Sequence, residues 1–318
     1  MNKISPTPAS VLPPPAARNS EARRGVLMAG GSFLLWGLLP FYWKQLQAVP
    51  ATELICHRMV WSLFFLLAVL AAQGTLRGLA AAFASPRLVA LNTLASLLLA
   101  ANWLTYVWGV NHDRIIETSL GYFLSPLCYV ALGRVLLRER LRSLQWVAII
   151  LATLGVALLL LRLDHAPWIA FLLAGTWSFY GILKKKSALG SLQGLTVETL
   201  LLFPFAAAWL LWLAARDGGV FGHAAASLHV LAIGSGLVTA VPLLMFAWGA
   251  QRLRFTTIGL LQYLGPTLQF LIGLLVYHEP LGAPQLRAFV FIWAGLLLYT
   301  ADGFLAGRAR QPAPDASF

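Results

Sequence analysis

The chain has 318 residues, of which 59% are hydrophobic and only 11% charged, against roughly 25% charged in an ordinary soluble domain. That balance excludes a water-soluble globular fold. The net charge of +12 does not mark a nucleic-acid binder, because Lys and Arg fall in short segments between apolar runs and not on the basic face that phosphate contacts require.

Residues 1–25 are rich in Pro, Ala and Ser (SPTPASVLPPPAARNS) and lack the apolar segment of a signal peptide; they read as a disordered cytoplasmic tail. Ten apolar stretches of membrane-spanning length follow, at 26–46, 52–72, 88–110, 117–137, 144–161, 166–184, 196–215, 228–250, 256–277 and 285–306, since about 20 apolar residues cross a bilayer as a helix. A second cytoplasmic tail occupies 307–318. Cys56 and Cys128 lie inside apolar runs, so no disulfide framework or CxxC metal signature is present.

Cytoplasmic loops retain positive charge. With the N-terminus inside, the cytoplasmic segments collect Arg18, Arg23 and Arg24, then Arg77 and Arg87, Arg138, Arg140 and Arg142, Lys184, Lys185 and Lys186, Arg252 and Arg254, and Arg308 and Arg310. The opposite side holds one each: Lys44, Arg114, Arg162, Arg216 and Arg287. The asymmetry predicts both termini in the cytoplasm.

The chain also repeats itself. Residues 102–159 align without gaps on 242–299 and agree at about a quarter of positions, including Trp108/Trp248, Arg114/Arg254, Pro126/Pro266, Gly133/Gly273, Glu139/Glu279, Leu141/Leu281, Gln145/Gln285, Ala148/Ala288 and Gly155/Gly295. FLLWGLLPFY at 33–42 likewise matches FLLAGTWSFY at 171–180. Five spans per copy place the second copy in the membrane upside down, so the predicted fold is an all-α membrane protein of ten helices in two inverted five-helix repeats, 26–162 and 166–306.

Ionisable and polar groups inside spans are costly and so are candidates for function. In the first span Trp36, Pro40, Trp43 and Lys44 share a stripe, and Pro40 removes a backbone donor and kinks the helix. The second span opens with Glu53, His57 and Arg58. Thr52 can cap it with Glu53 in its first turn, and Thr196 with Glu198 opens the seventh span in the same way. Arg58, about two turns in, needs a carboxylate, a carbonyl or water. The expected arrangement pairs Glu53 with Arg58 or Lys44 as a gate, with helix-end charge and snorkelling as the plainer alternative. Tyr122, Pro126 and Tyr129 lie on one face of the fourth span, and Gln262, Pro266 and Gln269 lie on the matching face of the ninth. The two prolines are expected to face each other across a cavity. Asn102, Trp103, Tyr106, Trp177 and Tyr180 complete an aromatic lining with a few polar anchors, the usual make-up of a small-molecule site; bonding between helices is the competing reading.

No paired carboxylates, nucleophile triad or HExxH spacing appears among the six histidines, His57, His112, His165, His223, His229 and His278. No GxxxxGK[ST] loop marks an ATP-driven pump. The sequence therefore points to a secondary transporter for a small metabolite or drug, with no cofactor, metal or nucleic acid; proton coupling and a homodimer stay open. An intramembrane enzyme acting on a lipid-soluble substrate and a structural protein without transport are the alternatives.

The segments WGLLPFYWKQL, TELICHRMVWS, NWLTYVWGVN, ETSLGYFLSPL, ERLRSLQWVA, VETLLLFP and GLLQYLGPTLQFLIG resemble the RarD branch of the EamA permeases, in the drug/metabolite transporter superfamily. The resemblance runs from Gly25 to Gly307. It implies two EamA repeats, a central cavity among helices 1–4 and 6–9, helices 5 and 10 at the periphery, and a bacterial inner membrane. Where that pattern often carries an Arg-Lys pair, this chain reads GILKKK at 181–186, which keeps the charge but not a guanidinium fork.

Overall fold

The computed structural model describes residues 15–112, 114–161, 166–216, 218–221, 224–278 and 282–308. Residues 1–14 and 309–318, and with them Arg162, His165, His223, Glu279 and Leu281, lie outside the described residues. The described residues form twelve helices: α1 (Pro15–Gln45), α2 (Ala51–Ala72), α3 (Arg77–Phe83), α4 (Pro86–Asn111), α5 (Ile115–Val135), α6 (Ser143–Leu160), α7 (Trp168–Lys186), α8 (Ser191–Ala214), α9 (Ala226–Arg252), α10 (Phe255–Leu261), α11 (Leu264–Leu275) and α12 (Ala283–Arg308). Eight stretches are long and apolar enough to cross a membrane, with α10 and α11 together forming one of them. Of the three helices outside that set, α3 is only seven residues long, and α5 and α7 carry charge inside their ends, Glu117 and Arg134 in one and three lysines in the other.

Three features differ from the sequence reading. The first helix begins at Pro15 and not at 26, so the second half of the expected disordered tail is helical. The ninth apolar stretch is broken between α10 and α11. Pro266 has no N–H to give the carbonyl of Gln262, and Gly265 N–H reaches that carbonyl instead, at 3.3 Å. Pro40 and Pro126, by contrast, lie inside continuous helices. Lastly, α8 starts at Ser191, with Gly190 before it. Glu198 is therefore about two turns inside, and Thr196 does not cap.

The helices pack in exchanged pairs. α1 packs on α9 as α7 does on α4; α1 packs on α10 and α11 as α7 does on α5; and α2 packs on α9 as α4 does on α8. Three further contacts join positional equivalents: α2 with α8, α5 with α10, and α6 with α12. The α6–α12 contact is reciprocal at atomic detail. A Cβ at Gly155 would lie 2.7 Å from the carbonyl oxygen of Ala288, and one at Gly295 would lie 2.6 Å from that of Ala148. These are two of the residue pairs the internal repeat aligns, and small residues here let the two backbones touch. The outward faces of the same helices are apolar and exposed, with Trp146, Ile150 and Leu154 on α6 and Val290 and Leu297 on α12.

Glutamates tie the segments together. Glu139 accepts the N–H groups of Phe255 (2.6 Å) and Thr256 (3.0 Å) at the start of α10. Glu117 accepts that of Ile169 (2.8 Å) at the start of α7. A carboxylate at the positive end of a helix forms charge-assisted bonds. Three residues after Glu139, Arg142 Nε donates to Asp302 Oδ2 at 2.8 Å, joining the start of α6 to α12.

Candidate functional site

The site begins at a close crossing of α2 and α9. Gly236 has no side chain, and a Cβ there would lie 2.3 Å from the backbone of Trp61. Ser62 Oγ donates to the Gly236 carbonyl at 2.9 Å. One turn along α9, and one turn back along α2, Thr239 meets Arg58: the guanidinium Nε donates to Thr239 Oγ1 at 2.9 Å. The guanidinium carbon lies 5.0 Å from the ring centre of Trp43 and 4.7 Å from that of Trp103. Arg58 is thus held between two indoles, an arrangement that stabilises a cation without neutralising it. Tyr106 and Tyr122 face each other with ring centres 6.0 Å apart. Both rings are exposed, and both are near enough to feel the charge of Arg58.

An aromatic wall continues inward. Trp36 meets Trp177 edge-on at 5.4 Å; Trp177 stacks on Tyr180 at 5.4 Å and lies 4.9 Å from Phe246. Behind this wall is a buried ion pair. Glu198 and Lys184, each 1% exposed, meet at 2.8 Å, and Tyr180 donates its hydroxyl proton to the other oxygen of Glu198 at 3.1 Å. Ser96 donates to the Glu198 carbonyl at 3.1 Å. A small crevice beside the pair is lined by Met59, Ser62, Trp103, Glu198 and Thr239.

The α1–α2 corner does not carry the pairing expected of it. Glu53 is buried, and its Oε1 accepts the Val220 N–H at 2.6 Å while lying 3.4 Å from His57 Nε2. Lys44 is exposed and lies 3.6 Å above the ring of Tyr277. Glu53 therefore pairs with neither Arg58 nor Lys44. The physical reason is access: the segment around Val220 brings an unbonded N–H to the carboxylate, whereas the Arg58 side chain, one turn on, is directed between the indoles. Pro50, not Thr52, precedes α2, and it offers no side-chain cap.

Of the other residues read as cavity lining, Asn102, Tyr129 and Gln269 make bonds between helices. Asn102 is buried and donates from Nδ2 to Leu173 O and Thr176 Oγ1, both at 2.9 Å. Tyr129 is fully buried, stacked on Phe255 at 4.2 Å, with its hydroxyl over Gly181 and donating to Trp177 O at 3.3 Å. Gln262 is buried at the α10–α11 break. Gln269 is exposed and donates to Trp36 O at 3.2 Å. Pro126 is buried against α10, where a Cβ at Gly259 would lie 2.9 Å from its carbonyl oxygen, so it does not look across open space toward Pro266. Sequence reasoning missed Lys184, Thr239 and Phe246. Lys184 had a signal: it continues the i, i+3, i+7 stripe of Trp177 and Tyr180, but as the first of three lysines it read as loop charge. Among the described residues, no three of His, Cys, Asp or Glu converge as metal ligands would.

Residues 23–161 match the EamA-like transporter family. The protein RarD of Salmonella typhimurium is 40% identical over 290 residues, covering 91% of this chain and 99% of its own. A transporter of Pseudomonas aeruginosa is 43% identical over 302 residues, covering 93% and 99%. The chloramphenicol-sensitive protein RarD of the same organism is 32% identical over 294 residues, covering 91% and 98%. A solved structure described as "Crystal structure of protein" superposes with a TM-score of 0.68 at 20% identity, over 89% of this chain and 98% of that one, which shows a shared fold. A multi-pass helical bundle with ionisable and aromatic side chains at its centre, related along nearly its whole length to RarD proteins, belongs to the RarD branch of the EamA-like transporters.

Proposed function

We propose that this chain is a secondary transporter of the bacterial inner membrane, moving a small metabolite or drug by alternating access between two inverted five-helix repeats. In this reading α5 and α7 cross the bilayer with the eight strongly apolar stretches, making ten spans with both termini cytoplasmic. The exchanged-pair packing and the reciprocal glycine contacts of α6 and α12 support an inverted repeat, because a pseudo-two-fold axis generates such pairs. The observation that carries the function is the convergence of Trp36, Arg58, Trp103, Tyr122, Trp177, Glu198 and Thr239, from seven helices of both halves, around one interior. By the charge asymmetry of the loops, Arg58 lies toward the outer side and the Lys184–Glu198 pair toward the cytoplasmic side. A charged cluster near each end suits a cavity that closes at one end while it opens at the other.

The test is flux by purified protein in liposomes. Small amphiphilic aromatic solutes are loaded on one side, chloramphenicol among them because one relative is named for it, with and without an imposed pH gradient. The expected result is saturable, protein-dependent flux that Trp177→Ala reduces at least tenfold, with dependence on the gradient if protons are coupled. Flux no greater than in protein-free liposomes across the panel overturns the reading. Chemical conversion of a solute without flux would mark an intramembrane enzyme instead.

A further inference from the structure

The cations of the interior differ in how they are paired. Glu198 is matched by Lys184 at 2.8 Å. The Glu53 carboxylate is occupied by the Val220 N–H and His57. Arg58, by contrast, has no carboxylate within 4.0 Å among the described residues, and its one hydrogen bond runs from Nε to Thr239. The side chain is half-buried, and its terminal nitrogens make no hydrogen bond among the described residues. Among the described residues Arg58 is thus an interior guanidinium with no carboxylate in contact.

The surroundings specify what that charge can hold. The indoles of Trp43 and Trp103 hold the guanidinium and Thr239 takes Nε, leaving the two terminal nitrogens for a planar oxyanion, the geometry in which guanidinium binds carboxylate by two parallel bonds. One guanidinium without a second cation matches a monoanion better than a dianion such as a phosphate monoester. Beside it, the exposed rings of Tyr106 and Tyr122 offer aromatic surface to the body of the solute. An unpaired guanidinium at membrane depth is costly unless it has a partner in the working cycle.

Resting on the transporter reading above, we infer that Arg58 is a substrate-binding residue and that the transported solute is a small monocarboxylate with an aromatic or apolar body, its carboxylate on Arg58 and its body on the aromatic rings.

The probe is 3-phenylpropionate, compared with its neutral amide and with 3-phenylpropylamine, near-isosteres that differ in charge. Binding to purified protein in detergent is read by quenching of tryptophan fluorescence. Wild type is expected to bind the acid at least tenfold more tightly than the amide, and the amine less tightly still. Arg58→Gln should lose at least tenfold in affinity for the acid while leaving the amide unchanged; Arg58→Lys should lose a few fold, keeping the charge but not the fork. If Arg58→Gln does not fold, the acid–amide–amine ranking on wild type and the Arg58→Lys variant decide. Equal binding of acid and amide, no binding of the acid, or undiminished acid binding by Arg58→Gln or Arg58→Lys overturns the inference. Counterflow of labelled 3-phenylpropionate in liposomes separates it from the transporter reading: Arg58-dependent binding without flux sinks transport but keeps the site, and equal flux in wild type and Arg58→Gln sinks the site but keeps transport.

Discussion

Breaking the Lys184–Glu198 pair tests how the interior is held together. At 2.8 Å and an effective dielectric of about 20, the two charges attract by about 6 kcal/mol. Withdrawing both from solvent costs several kcal/mol per ion, so the pair as a whole adds little net stability. Removing one partner is different, because the orphan keeps its desolvation cost and loses its compensation. Glu198→Gln leaves the Lys184 ammonium facing a neutral amide; Lys184→Met leaves the Glu198 carboxylate with only the hydroxyl of Tyr180 at 3.1 Å. Each single substitution should cost about 3–5 kcal/mol. The double variant Lys184→Met/Glu198→Gln buries no net or paired charge and should lie within about 1–2 kcal/mol of the parent. The assay is equilibrium unfolding in mixed micelles by SDS titration, followed by circular dichroism, for all four corners of the cycle. Single losses below about 1 kcal/mol, the range of a solvated surface pair, or a double variant as damaged as the sum of the singles, would refute the reasoning.

Other expectations follow from the same geometry. Gly155→Val and Gly295→Val should each destabilise by about 1–3 kcal/mol, because the new side chain meets a backbone carbonyl that cannot withdraw; SDS unfolding should show the two alike, with flux per folded molecule unchanged. Glu139→Gln replaces the charged acceptor of Phe255 and Thr256 and should cost about 1–2 kcal/mol, read as faster hydrogen exchange in the first turn of α10. Tyr129→Phe removes only a long hydroxyl contact and should cost under about 1 kcal/mol in unfolding, whereas Tyr122→Ala should lower flux at least several fold with normal folding; the reverse order would invalidate the separation of lining from core. For the proposed topology, a C-terminal alkaline phosphatase fusion should be inactive, and high activity would place that end outside.

The residues of the proposed site divide into those singled out in the sequence and those that were not. Arg58, Trp36, Trp103 and Trp177 were legible because a cation, or a large amphipathic ring, inside an apolar run has few ordinary explanations. Tyr106 and Tyr129 were not separable. Both are tyrosines in polar-aromatic stretches, yet one ring is exposed beside Arg58 and the other is enclosed over Gly181. Their difference is set by which helix lies opposite, and a single span carries no record of its neighbour. The pairing of Glu53 was hidden for a related reason: its nearest carriers of positive charge in sequence are Lys44 and Arg58, whereas its backbone partner, Val220, lies 167 positions away.

By itself the sequence determined that the chain is a bundle of apolar helices and which residue types are out of place in hydrocarbon. These are properties of composition, period and local spacing, which survive without knowledge of packing. Tertiary structure alone decided where each polar group finds its partner: Lys184 inside on Glu198 and not in a loop, Glu53 on a backbone amide, and Arg58 between two indoles with no carboxylate beside it among the described residues. The reason is that a buried charge or hydrogen-bonding group is satisfied across helix interfaces. Those interfaces bring together residues separated by tens to hundreds of positions, and small shifts in helix rotation or in the start of a helix, as at Ser191, decide which groups meet.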